Sequence, residues 1–224
     1  AAHEDAIKLN PKLFARIQEL YEKRSSLSLD SESTFLIERY YRDFVHAGAA
    51  LDEQQREQLK EYNERLSVLE AKFGQNALAE ANRLAVVVSD SGRLRGLSES
   101  DIATAASAAS NRGLTASYLI NMVNFSGHPL LADLEERSLR EEIMKASLSK
   151  SVVGGEFDNR ELLLETVEIR AKRAKLLGFA NHAEYVLSEE TAKKPELAHA
   201  MLRQIAPAAI ANAKAEACLL YTSD

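Results

Sequence analysis

Histidine is the commonest protein ligand for metal ions, and the chain has five: His3, His46, His128, His182 and His199. No two lie within one helical turn, so no His-x-x-x-His pair offers two imidazoles to zinc from one helix face. His182 stands near Glu184 and Tyr185 in "NHAEY", but one imidazole with one carboxylate reads as the surface start of a helix. Cys218, the sole cysteine, has no neighbouring base to take the thiol proton, as a nucleophile requires. "VVGGEFDN" (152–159) carries two glycines without the Lys-Ser or Lys-Thr of a phosphate loop. It reads as a connection in which Asp158 can hold a neighbouring amide. The adjacent carboxylates Glu135/Glu136, Glu141/Glu142 and Glu189/Glu190 diverge around a helix and read as solvated faces. These residues assign no catalytic, cofactor-binding or metal-ligating position within the chain.

The elements that would position such groups are mostly helices. Nine glycines and four prolines in 224 residues leave few places to break one. A composition 46% apolar and 28% charged is that of a globular protein. The net charge of −6 is spread with both signs interspersed, so neither nucleic acid nor an anionic membrane is an expected partner. The longest aliphatic run, "LAVVV" (84–88), falls far short of the roughly 20 residues of a membrane helix. No signal-peptide pattern opens the chain, and one cysteine permits no internal disulfide. The expected location is cytoplasmic, with the periplasm left open.

Asn10-Pro11 predicts a helix start, with Phe14, Ile17, Leu20 and Tyr21 on one face. A second helix restarts after "LDSES" (29–33), carries Phe35, Ile37, Tyr41, Phe44 and Val45, and stops at Gly48. Asp52 caps the longest segment, in which Leu59, Tyr62, Leu66, Leu69 and Phe73 recur at 3-4 spacing. Barely two heptads favour an antiparallel helical hairpin over a free coiled coil. Strands are expected near 84–88 and 118–123, forming one small sheet. Between them, Ser98 and Asp101 have capping-box spacing and Gly113 is a stop. Helices resume after "SGHP" (126–129), with Leu131, Leu134, Leu139 and Ile143 in one periodic run. Asp158 opens a helix over about 159–177, another starts near Asn181, and Pro195 opens the last. Pro207 is expected to kink or break that one.

"RAKRAKLLGFANHAEYVLSEETAKKPE" (170–196) resembles a signature of the thimet oligopeptidase family of zinc metallopeptidases. The matching positions are Leu176, Leu177, Gly178, Phe179, Asn181, Ala183 and Tyr185, then Ala192, Lys193, Pro195 and Glu196. Residues 42–82, 94–114 and 206–217 are similar to further stretches of that family, and most of all to its bacterial peptidyl-dipeptidase branch. "NFSGHP" (124–129) and Thr191-Ala192 depart from the family's "NTTQQP" and Met-Ala. The resemblance implies a mainly α, neurolysin-like fold in which two helical lobes enclose a channel that admits only short peptides. It also implies one zinc held by His-Glu-x-x-His and a later glutamate, with the motif's glutamate activating a water against the peptide bond. None of those positions occurs here.

The expectation is therefore that residues 1–217 are the N-terminal and middle helical portion of a larger metallopeptidase, truncated at both ends. The partner of this portion would be a catalytic part C-terminal to it. "CLLYTSD" (218–224), which lacks helical periodicity and a cap, is expected to be a non-native tail. The alternative is a stand-alone helical interaction module that offers the Leu59–Phe73 seam to a partner.

Overall fold

The computed structural model describes residues 2–123 and 128–222. Among them the chain is mainly helical, with one two-stranded sheet. The order is α1 (Ala2–Lys8), α2 (Pro11–Lys23), α3 (Ser31–His46), α4 (Glu53–Arg83), β1 (Val86–Val88), α5 (Glu99–Asn111), β2 (Tyr118–Ile120), α6 (Arg137–Leu148), α7 (Arg160–Leu176), α8 (His182–Leu187) and α9 (Pro195–Thr222). The chain divides into two compact units. One contains the residues up to Leu66 and those from Val167 onward, and the other is Ser67–Thr166.

Local chemistry sets most helix starts. Asn10 accepts from the Lys12 and Leu13 amides at 3.0 and 3.1 Å, with Pro11 at the first helical position. Asp52 and Gln55 close a reciprocal box, each side chain accepting the other's amide, at 2.8 and 3.2 Å. Ser98 accepts from the Asp101 amide at 3.1 Å. Each such cap satisfies an amide that the first helical turn leaves unpaired, and contributes about 1 kcal/mol.

In the first unit α2 and α3 meet through stacked rings. Tyr21 lies 3.9 Å from Tyr41, and Phe14 packs on Tyr41 and Phe44 at 5.9 and 6.4 Å. Arg24 covers Tyr21 at 4.0 Å and Lys8 covers Phe44 at 4.8 Å, so a cation sits at each end of the aromatic row. Phe35, by contrast, is exposed. The sequence carries no capping marker for α1.

In the second unit β1 and β2 pair antiparallel, Val86 with Ile120 and Val88 with Tyr118. Val86, Val88 and Ile120 face a core completed by Leu94, Leu97, Met122, Leu134, Leu139 and Ile143. The strands are shorter than expected because the Leu84 amide still closes α4 on the Glu80 carbonyl at 2.9 Å. The helix expected over 130–148 begins only at Arg137. Its front is diverted by a tertiary contact: the Glu135 amide donates to the Arg95 carbonyl at 3.0 Å. A Cβ on Gly96, whose φ is +93°, would lie 1.9 Å from the Asp133 carbonyl oxygen, so only glycine lets the two backbones meet.

At two places helix continues where the sequence marks a stop. α9 runs unbroken through Pro207. Its flanks are exposed to solvent, so water can bond the carbonyl that the missing N–H leaves free. Helix also continues from Cys218 to Thr222, where the sequence had no helical period. Residues 124–127, which carry most of the "NFSGHP" departure, lie outside the described residues, as do 223–224.

Candidate functional site

In the first unit the chain turns at Gly178, where the Phe179 amide closes back on the Ala174 carbonyl at 2.9 Å. α8 then starts on an Asn181 cap, which accepts from the Glu184 amide at 2.9 Å, while the Glu184 carboxylate accepts from the Ala180 amide at 2.8 Å. This turn and short helix deliver Phe179, His182 and Tyr185 to the C-terminal end of α3. The His46 ring stacks on Tyr185, with centroids 4.2 Å apart and planes 10° apart, and Phe179 stands edge-on to both. The His46 Nε2 lies 3.0 Å from the Tyr185 carbonyl oxygen and 3.2 Å from the Ser188 Oγ. A carbonyl only accepts, so Nε2 carries the proton. One turn earlier on α3, Arg42 pairs with Glu189 at 3.3 Å.

The Arg173 guanidinium lies 5.3 Å from the Tyr185 ring and bonds Asn63 at 3.2 Å. Burial pushes the Tyr185 pKa up, against a lowering by Arg173. Burial also pushes His182 down, and Arg170 and Arg173 add to the effect. Near neutral pH both rings are therefore uncharged.

The second unit holds a buried polar stripe. On α4, Leu59, Leu66 and Leu69 are buried, and continuing the 3-4 spacing past exposed Phe73 leads to Asn76 and Glu80. Both are also buried, at 3% and 2% exposure. Asn76 donates to the Asn159 Oδ1 at 3.0 Å, and the Asn159 Nδ2 donates to the Phe73 carbonyl at 3.1 Å. Glu80 accepts two bonds from Arg83, both at 2.7 Å. Arg83 first, and the Ser151 backbone N–H as well, hold the Glu80 carboxyl below its ordinary range. This stripe gave no signal in the sequence, because buried asparagine and glutamate look like solvated residues.

The other candidates fill structural roles. His3 and His199 are exposed. His128 is buried, with Nε2 3.0 Å from the Asn121 carbonyl and Nδ1 accepting from the Leu130 amide. Cys218 is exposed. Glu135 pairs with Arg95 and Glu136 with Arg93, while Glu141 pairs with Lys145 and Glu142 with Arg93. Asp158 accepts from the Gly154 and Arg160 amides at 2.6 and 2.9 Å.

A zinc centre does not fit these side chains. Among the described residues no group of three or more His, Cys, Asp or Glu is placed to hold a metal ion. The two histidines that do converge, His46 and His182, meet on a tyrosine ring, and the His46 Nε2 proton is committed to Tyr185 and Ser188. Among the described residues no helix is long and apolar enough to cross a membrane.

Phe179, His182 and Tyr185 of the aromatic cluster, and all of α6 to α8, lie in a stretch that matches a known family. Residues 130–221 match the model of Peptidase family M3. The chain is 39% identical over 210 residues to a dipeptidyl carboxypeptidase of Escherichia coli, covering 94% of this chain and 31% of that protein. It is 37% identical over 219 residues to a dipeptidyl carboxypeptidase of Salmonella typhimurium, covering 96% and 32%. It is also 28% identical over 188 residues to oligopeptidase A of Escherichia coli, covering 82% and 28%. The chain thus spans about a third of the length of the dipeptidyl carboxypeptidases it matches. The family resemblance read from residues 170–196 falls inside the stretch that matches Peptidase family M3.

Proposed function

We propose that this chain is a non-catalytic helical portion of a zinc-dependent peptidase that hydrolyses short peptides, as a peptidyl-dipeptidase or oligopeptidase. Its helices would form part of the wall of a two-lobed, neurolysin-like substrate channel, and the metal-binding residues would lie outside these 224 positions. The observation that carries this reading is the 39% identity across 94% of the chain to a dipeptidyl carboxypeptidase, in a sequence without His-Glu-x-x-His. Zinc would supply Lewis-acid chemistry to the whole enzyme. The residues described here would shape and support the channel.

The alternative, a stand-alone interaction module, relied on the leucine seam of α4. Leu59, Leu66 and Leu69 are 1%, 4% and 1% exposed, so that seam is already used inside the chain.

The test is the gene itself. An open frame that continues past codon 224 to a His-Glu-x-x-His codon run supports the proposal, and a stop codon directly after Asp224 overturns it. A second check uses the purified 224-residue chain, which should not cleave short peptides. Chelator-sensitive cleavage by that chain would also count against the reading.

A further inference from the structure

Between α1 and α4, within the first unit, lies a cavity of about 310 Å³. Ala2, Asp5 and Ala6 line it from α1, and Lys60 and Glu64 from α4. Its volume is at the lower end for ligand cavities, so it suits a small molecule. Ala2 and Ala6 are four residues apart on one helix face, as are Lys60 and Glu64 on the other helix. Alanine contributes only methyl groups, so the α1 wall is apolar on either side of the Asp5 carboxylate.

That carboxylate is held in place with an acceptor to spare. Asn63 Nδ2 donates to the Asp5 Oδ1 at 2.9 Å, and the Asn63 Oδ1 accepts from the Arg173 guanidinium at 3.2 Å. Asp5 is half-buried, and among the described residues nothing bonds its Oδ2. The exposed Glu64 side chain has neither a hydrogen bond nor an ion pair among the described residues. Lys60 Nζ donates to the Glu57 Oε1 at 2.6 Å, which uses one of its three N–H groups. The cavity therefore offers two carboxylates with spare acceptors and one ammonium with spare donors.

We propose that this cavity binds a free dipeptide, its ammonium terminus held between Asp5 and Glu64 and its carboxylate terminus meeting Lys60. An ammonium carries donors alone, which matches the unused oxygens of Asp5 and Glu64. Lys60 and Glu64 stand about one helical turn apart, roughly 5.4 Å. The two termini of an extended dipeptide are separated by up to about 7 Å, which spans that turn. In a single amino acid both charged groups sit on one carbon and cannot span it. The ligand's side chains lie against the methyl groups of Ala2 and Ala6. The cavity alone carries this assignment, so its failure would leave the peptidase reading and its gene-frame test untouched.

Saturation-transfer difference NMR on the 224-residue chain at neutral pH tests the site. The probe is Ala-Ala, compared with N-acetyl-Ala-Ala, Ala-Ala-amide and free alanine. Ala-Ala should give a saturable signal with half-saturation at about 1 mM. Each of the other three lacks one charge or the spacing between the two, and should bind about tenfold more weakly. Asp5→Asn can still accept the Asn63 bond through its amide oxygen, and should weaken Ala-Ala binding about tenfold. Glu64→Gln, at an exposed position, should weaken it about threefold. No saturable Ala-Ala signal up to about 10 mM overturns the proposal. Equal binding of any of the three comparison compounds overturns it as well, as does unchanged binding in both variants. If circular dichroism shows that Asp5→Asn fails to fold, Glu64→Gln decides alone, and unchanged binding there overturns the proposal.

Discussion

The imidazole of His46 lies flat against the phenol ring of Tyr185 while its Nε2 proton points at the carbonyl of that same tyrosine, 3.0 Å away. One side chain thereby holds both the ring and the backbone of α8 against the last turn of α3. Replacing His46 with alanine removes the stack and the bond together and should cost about 1–3 kcal/mol in urea unfolding. His46→Phe keeps a ring there and should recover most of the loss, leaving a deficit of about 1 kcal/mol for the missing bond. Equal midpoints for the two variants would show that the stack contributes nothing.

Two glycines should respond to alanine in opposite directions. Gly74 is inside α4, and a Cβ there would meet nothing within 4 Å, so Gly74→Ala should stabilise by about 1 kcal/mol through helix propensity. Gly96→Ala drives a methyl into the Asp133 carbonyl at a φ that alanine resists, and should destabilise by about 3 kcal/mol or more. Thermal melts followed by circular dichroism would separate them.

Asp158 supplies a pH dependence. The Arg160 guanidinium and amide, with the Gly154 amide, bring its carboxyl from 3.8 down to about 2. A depressed carboxylate stabilises the fold fully above its unfolded pKa and loses that contribution as pH falls towards the folded value. Stability should therefore decline between pH 3.8 and about 2, the two values that bound the shift. Asp158→Asn should flatten that limb in melts recorded across the range.

The flanks of α9 expose Leu197, Met201, Leu202, Ile205 and Ile210, each by more than half. Large apolar side chains exposed along a helix are suited to burial. The isolated chain should therefore self-associate as its concentration rises in sedimentation velocity. Leu202→Glu combined with Ile205→Glu should shift it towards monomer without lowering the melting temperature. A wild-type chain that stays monomeric at every concentration would contradict this.

The sequence was most legible where the signal is local. Asn10, Asp52 and Ser98 cap helices because each side chain reaches amides two or three residues ahead. The small sheet between α4 and α6 also followed from a β-branched run and its turn residues. What escaped was set at long range. The start of α6 depends on an Arg95 carbonyl 40 residues from Glu135. His46 and Tyr185 are 139 residues apart, and no periodicity within either helix foretells their contact. Pro207 does not break α9, because the interior of an exposed helix is open to water. The Asn76–Glu80 stripe escaped because polar side chains at 3-4 spacing read as a solvated face.

That stripe has a consequence for how the chain avoids misassembly. A helix seated only by leucines can slide by seven residues and still find leucines, which makes shifted packings competitive kinetic traps. On α4, a seven-residue slide would put Asn76 in the seat of Leu69, an amide among groups that offer it no bond. The opposite slide would put Leu69 against Asn159 and strand the amide that Asn76 now satisfies. Either error leaves a buried polar group unpaired. The polar end of the stripe thus works as a key that fits one register of a 31-residue helix and rejects its neighbours.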